Sequence, residues 1–489
     1  MLASIGFRKQ IGRFFINHES AAFLGLFVLI SEATYLRSNI LEFGRLDDFT
    51  GLFNSRSNTL MDGAFRSWFQ AGRLIPATLG SLLFNFTDSV GDLLYLRLIS
   101  TGILGVAGGL IALFTFRLFK KKNLSSFVGA VLVGVVAITT SSAPSAATWA
   151  TFTAQMLTLP LALIGGIICT TNRKYVGLPW WGASLILLVA SAFCYQQFVP
   201  LGVLPVCMWA AVEFVSVQKI RLKRILSVTT LVVIALGLNA IFVFLFGDGA
   251  QDRVLGEPFA ERVRWFIGTY TPRTIDLFIP NTQMSGLVSL LILGILLTVP
   301  ALMNWRNIAF VFATIAAWAA CAAVVFPTQL WASYRLIHPA QIALWGCATF
   351  SAVYVFAGFK RKTVFIIAMA IGVFSLIQAD NRALNYIAKP NHYDWQTTLC
   401  EIRRNPEINT FVVNEWDMSR SPVYSYDEYG TIASNFDWVF IGSIRMARLE
   451  INESMNIQSQ LLNPILISTS DSASMQEGTF LIIDQQMCD

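Results

Sequence analysis

Charge is what this chain has least of: only 13% of its 489 residues are Asp, Glu, Lys or Arg, against roughly 25% in soluble globular domains. Hydrophobic residues make up 55%, more than a soluble core of this size can hide. An ordinary soluble domain is therefore excluded, and the class is a polytopic α-helical membrane protein. Histidine is scarce too, with His18, His338 and His392 scattered at no metal-ligand spacing. Of the seven cysteines, Cys169, Cys194, Cys207, Cys321 and Cys347 lie in apolar stretches and read as small buried hydrophobes. Cys400 and Cys488 alone stand in polar sequence, and they form the one plausible disulfide if the C-terminal segment faces an oxidising compartment. No small-residue cleavage site follows the apolar segment after Arg8, Lys9 and Arg13, so that segment is expected to remain as a first span. The net charge of +6 does not imply nucleic acid, because the basic residues fall in short runs between apolar segments.

A helix needs about 20 apolar residues to cross the roughly 30 Å hydrocarbon core. Runs of that kind lie at about 20–37, 93–117, 124–142, 153–171, 180–197, 198–217, 225–246, 285–303, 308–326, 340–358 and 363–379. Eleven spans put the termini on opposite sides. The clusters Arg8/Lys9/Arg13, Lys120 to Lys122, Arg173-Lys174, Lys219 to Arg224, Arg306 and Lys360 to Lys362 all fall on one face, which the positive-inside rule makes cytoplasmic. The pair meeting at Gln196-Gln197 is separated by no more than a tight turn, and 180–217 also reads as a single broken segment.

The opposite face lacks lysine before Lys389 but keeps Arg45, Arg56, Arg66, Arg73, Arg253, Arg262, Arg264, Arg273 and Arg335. Arginines retained against the orientation rule are candidates for binding anions. This face receives the outer loops 38–92, 247–284 and 327–339 of a transmembrane domain over 1–379, and then a tail over 380–489. In the first loop Leu60, Met61, Ala64, Trp68 and Phe69 recur at helical spacing and predict a helix lying in the interface. The tail is polar but carries β-like runs at Thr410 to Val413, Ile465 to Ser468 and Phe480 to Ile483, with helical patterns at Trp395 to Arg404 and Val439 to Met446. A small extracytoplasmic α/β domain is predicted there. Gly105 to Gly109 reads as helix packing rather than a phosphate loop.

Asp47 and Asp48 stand out chemically. Adjacent carboxylates raise one pKa, and one of them in a half-dry pocket could take a proton from a sugar hydroxyl; a solvated loop pair is the bland alternative. Arg335, alone among apolar residues before His338-Pro339, suits a phosphate or, equally, a lipid headgroup. Arg73 in Gly72-Arg73-Leu74-Ile75-Pro76 is a weaker candidate of the same kind. In the tail, Tyr426, Asp427, Glu428 and Trp438 offer aromatic faces and carboxylates of the sort that bind pyranose rings. A divalent cation, magnesium or manganese, held by Asp47 and Asp48 has no second feature in the sequence to support it.

With a short first span, an acidic pair opening the first outer loop, an interface helix, a Gly-Arg-x-x-Pro turn, a late outer loop with arginine before proline and an outer tail, the chain resembles the integral-membrane C-type glycosyltransferases. Within these it is similar to bacterial and phage O-antigen, serotype-converting glucosyltransferases, on Leu46-Asp47-Asp48-Phe49 and Gly72-Arg73-Leu74-Ile75-Pro76. The resemblance implies a multi-pass protein of the bacterial inner membrane, with N-terminus cytoplasmic and C-terminus periplasmic. It implies glucose transfer from undecaprenyl-phosphate glucose, or a like polyprenyl-phosphate donor, to O-antigen of lipopolysaccharide or a related glycan. Asp47 would be the base, Asp48 a sugar or metal ligand, Arg335 and Arg73 the donor-phosphate residues, and displacement in one step would invert the anomeric centre. The alternatives are a transporter or flippase of lipid-linked sugars, which would call for ionisable residues deep in several spans, and an O-antigen polymerase.

Overall fold

A computed structural model describes residues 19–45, 47–56, 64–171, 177–218, 222–247, 258–277, 283–326, 334–356, 361–413, 437–451, 465–468 and 481–482. It divides into two units: one of residues 1–34, 101–143 and 156–379, the other of residues 35–100, 144–155 and 380–489.

The first unit is a helical bundle. Among the described residues of the whole chain, eight helical stretches are long and apolar enough to cross a membrane: Glu19–Asn39, Leu93–Leu118, Ala150–Cys169, Trp180–Val217, Leu222–Phe246, Gly286–Met303, Trp305–Ala323 and Tyr334–Phe356. The difference from the eleven predicted runs has three sources. Leu124–Ile138 is only 15 residues long, Trp180–Val217 counts once, and the last run lies in the Arg361–Ala383 helix. Within Trp180–Val217 the chain doubles back. Tyr195 is extended at φ −163° and ψ 106° between an α-helix and a 3₁₀ segment over Gln196–Gly202. The guanidinium of Arg224, a few residues past Val217, stands 4.1 Å over the ring of Trp180, so the two ends of the stretch lie together.

Glycine permits the closest helix approaches. A Cβ on Gly105 would stand 2.7 Å from the carbonyl oxygen of Phe27, and one on Gly166 would collide with that of Gly202. The 105–109 glycines are thus packing residues. Leucines such as Leu287, Leu291 and Leu245 remain more than half exposed, as helices facing lipid rather than water require.

The second unit carries the acidic pair. The Asp47–Arg56 helix places Phe49 and Leu52 in a core with Phe84, Val90, Leu93, Leu96, Trp395, Phe411, Phe440 and Ile444. The tail is therefore not a body by itself: its helices Lys389–Arg404 and Asp437–Ile451 share that core with residues of the first loop. Three parallel strands complete it: β1 (Thr410–Val413) lies between β2 (Ile465–Ser468) and β3 (Leu481–Ile482). Thr410 pairs with Ile465 and Phe411 with Leu481. Arg448 fixes the start of β1 by donating to Asn409 Oδ1 at 2.9 Å and to the Ile408 carbonyl at 2.5 Å. Burial pushes its guanidinium down to about 10.

Candidate functional site

Asp47 and Asp48 open one helix but meet different surroundings. Consecutive residues project about 100° apart around a helix axis. Asp47 is half-buried, whereas Asp48 is fully buried.

Asp48 is held on both oxygens. One accepts from the backbone N–H of Arg45 at 3.0 Å, while the N–H of Asp48 donates to the Arg45 carbonyl at 2.9 Å. That reciprocal pair is the acid half of a capping box, with a carboxylate reaching back over three residues to the helix start. The other oxygen accepts from the N–H of Thr151 at 2.7 Å and from its hydroxyl. Burial pushes the Asp48 carboxyl up to about 6. The Thr151 hydroxyl and N–H, the charge of Arg97 and the Arg45 N–H all pull the other way.

Two buried arginines complete the frame. Arg97 donates to the carbonyls of Phe43 at 2.7 Å, Leu41 at 2.8 Å and Asn39 at 3.1 Å, and lies 4.1 Å over the Phe43 ring. It thereby caps the carbonyls left open where the Glu19–Asn39 helix ends. Arg45 donates to the carbonyl and hydroxyl of Ser145 at 3.0 and 3.1 Å, and stands 5.2 Å over Trp149. Glu42 is tied to the tail: His392 Nδ1 lies 2.6 Å from its carbonyl oxygen, and Trp395 donates to its carboxylate at 3.0 Å. Sequence reasoning named Arg45 as an anion-binding candidate but missed its partners Ser145 and Trp149, and missed Arg97 and Thr151 beside Asp48. Of these last two, only Arg97, a charge near the end of an apolar run, carried a signal.

This geometry gives Asp48 a structural role: a carboxylate with no exposed surface and three donors on its two oxygens positions the helix start. Among the described residues no three His, Cys, Asp or Glu side chains converge as metal ligands. Asp47, partly open at the helix start, keeps the geometry of a candidate base.

The other predicted site residues fall in both units. Gly72, at φ 74°, ends the Ala64–Gln70 helix. Its N–H donates to Phe69 at 2.9 Å, and the N–H of Arg73 donates to Trp68 at 2.8 Å. This is the Schellman closure that favours glycine, so the Gly-Arg pair has a structural explanation of its own. Arg73 is half-buried. Of the residues predicted to form the interface helix, Trp68 is buried and Leu60 and Met61 lie outside the described residues. Arg335 is the second residue of the Tyr334–Phe356 helix, half-buried, and belongs to the first unit. Tyr426, Asp427 and Glu428 lie outside the described residues, as does the side chain of Trp438. Cys400 is disulfide-bonded, and Cys488 lies outside the described residues.

A second polar cluster lies in the first unit. Gln341 accepts from the N–H of Ser142 at 3.0 Å and donates to Ser141 Oγ at 2.6 Å and to the carbonyls of Arg273 and Asp276 at 2.8 and 3.0 Å. One turn earlier, His338 Nδ1 lies 2.6 Å from Ser142 Oγ and 3.4 Å from Thr140 Oγ1.

No protein-family model matches the chain, and no curated protein matches its sequence. Composition and helices define an α-helical, multi-pass membrane protein.

Proposed function

We propose that this protein is a glycosyltransferase that moves a sugar, glucose by preference, from a polyprenyl-phosphate donor to an O-antigen or related surface glycan at the periplasmic side of the bacterial inner membrane. The observation that carries the reading is the asymmetry of the acidic pair. Asp48 is consumed in fixing the helix start, and its neighbour Asp47 is left half-open on a rigid frame just past the first long apolar helix. A lipid phosphate is already a good leaving group. The reaction therefore asks of the protein a base for the acceptor hydroxyl and positive charge for the departing phosphate. Asp47 supplies the base. Arg335, in the first turn of a helix whose N-terminal end favours anions, and Arg73 supply the charge. A single displacement inverts the anomeric centre, and the tail, through Tyr426, Asp427, Glu428 and Trp438, receives the acceptor. Cys400 and Cys488 form the disulfide of that tail.

The test is transfer from labelled undecaprenyl-phosphate glucose to lipopolysaccharide in membranes containing the Asp47→Asn protein. The expected outcome is loss of at least 100-fold in transfer, the scale of a general base, with expression and melting temperature unchanged. Transfer at the wild-type rate removes Asp47 as base.

A further inference from the structure

A cavity bordered by charge lies in the first unit, between the start of the Trp180–Tyr195 helix and the first turns of the Leu222–Phe246 helix. It is an open groove of about 690 Å³ lined by Trp180, Trp181, Leu222, Lys223, Leu226, Ser227, Thr230 and Leu231, in the size range of small-molecule sites. Trp181, Leu222 and Leu226 are all more than half exposed, an apolar wall that water would disfavour and an acyl chain would cover. Among the described residues none that lines it is acidic.

The mouth of the groove is cationic three times over. Lys223 lies on its wall and is exposed. Beside it Arg224 stacks on Trp180 at 4.1 Å, with its Nη1 buried and without a hydrogen-bond partner. The 25-residue Leu222–Phe246 helix begins at the same place, and the positive end of its dipole favours an anion. The chain thus presents tryptophan, lysine, arginine and a helix start at one level, above a leucine-lined slot. That is the layout of the bilayer interface, where aromatic rings and basic residues meet headgroups.

We propose that this groove holds one glycerophospholipid with an anionic headgroup, its phosphate between Lys223 and the helix start and one acyl chain along Trp181, Leu226 and Leu231. The proposal does not depend on the sugar-transfer reading. Native mass spectrometry of the full-length protein, titrated with phosphatidylglycerol or with phosphatidylcholine of the same chains, tests it. The expected result is one phosphatidylglycerol bound in preference to phosphatidylcholine, with affinity falling roughly fivefold in Lys223→Gln, the effect of one cation near a membrane surface. Leu226→Trp, which fills the slot, should remove that lipid altogether. Lys223→Gln changes an exposed side chain and leaves the fold intact, so it decides the matter even if Leu226→Trp fails to express. Equal retention of the two lipids, or phosphatidylglycerol affinity unchanged in Lys223→Gln, overturns the proposal.

Discussion

The two units bury polar groups of different kinds. In the second, Arg45, Asp48 and Arg97 show no exposed surface, and Arg382, Asp394 and Arg448 are at most 5% exposed. In the first, the buried polar side chains of the spanning helices are neutral hydroxyls and amides together with His338, among them Thr115, Ser184, Ser191, Asn239 and Gln341. Among the described residues, the buried charges of that unit, Arg262 and Asp276, lie outside those helices. The difference follows from solvation. An ion in hydrocarbon costs several kcal/mol and stays only where other charges or dipoles surround it. A serine or glutamine can satisfy itself within a helix pair. A charged frame holds the turn that carries the acidic pair rigid, whereas a neutral frame holds helices together.

The largest expected effect tests the charged frame. Asp48→Ala leaves the N–H groups of Arg45 and Thr151 without their acceptor and Arg97 with Glu42 as its remaining carboxylate neighbour, a loss of about 3–5 kcal/mol. A melting curve in detergent, followed by proteolysis of residues 35–100, should show this unit opening first. Melting at the wild-type temperature would break the comparison outright. A pH signature goes with it. The folded Asp48 carboxyl sits at about 6 against 3.8 for a free aspartate, so between those values the folded state holds the proton more tightly than the unfolded one. Stability therefore declines as pH rises from about 4 to about 6 and is level above. Asp48→Asn should flatten that slope.

Hydropathy made the spanning helices legible, since runs of about 20 apolar residues are a direct statement about solvent. The strands at Thr410 to Val413 and Ile465 to Ser468 were legible as well, from short runs rich in β-branched residues. Which of Asp47 and Asp48 faces inward was not, because both are one-letter neighbours of the same type and only the helix phase separates them. Thr151 gave no signal: it lies 103 positions from Asp48, and a threonine among apolar residues is ordinary. The shared core was hidden for a like reason. The rings of Phe49 and Trp395 meet tilted at 5.3 Å, yet nothing local to either records a partner over three hundred residues away. The polar composition of 380–489 instead suggested a free-standing tail.

A smaller effect is expected where the frame is neutral. Gln341→Leu keeps the volume but deletes one acceptor and three donor contacts. The Asp276 carbonyl retains a donor in Ser141 Oγ at 2.8 Å, so part of the network survives. A loss of about 1–3 kcal/mol follows, read as a fall in melting temperature that does not change between pH 4 and pH 6. A loss as large as that of Asp48→Ala, or one that varies with pH in that window, would show that charge is not what separates the two units.

The smallest effect sharpens the comparison from within the neutral network. Ser142→Ala removes the hydroxyl 2.6 Å from His338 Nδ1, but Thr140 Oγ1 already stands 3.4 Å from the same nitrogen and 3.3 Å from Ser142 Oγ. A rotation about one threonine torsion brings the second hydroxyl into bonding range, so the single change should cost no more than about 1 kcal/mol. Thr140→Val alone should cost about as little, because Ser142 keeps its bond. The double variant leaves the buried His338 Nδ1 without either hydroxyl and should lose more than the sum of the singles, by about 1 kcal/mol of coupling in a double-mutant cycle. Strict additivity would mean that the two hydroxyls do not substitute for each other. The charged frame has no such spare: each donor to Asp48 is fixed to the backbone or to Thr151, and that difference in redundancy is what the cycle measures.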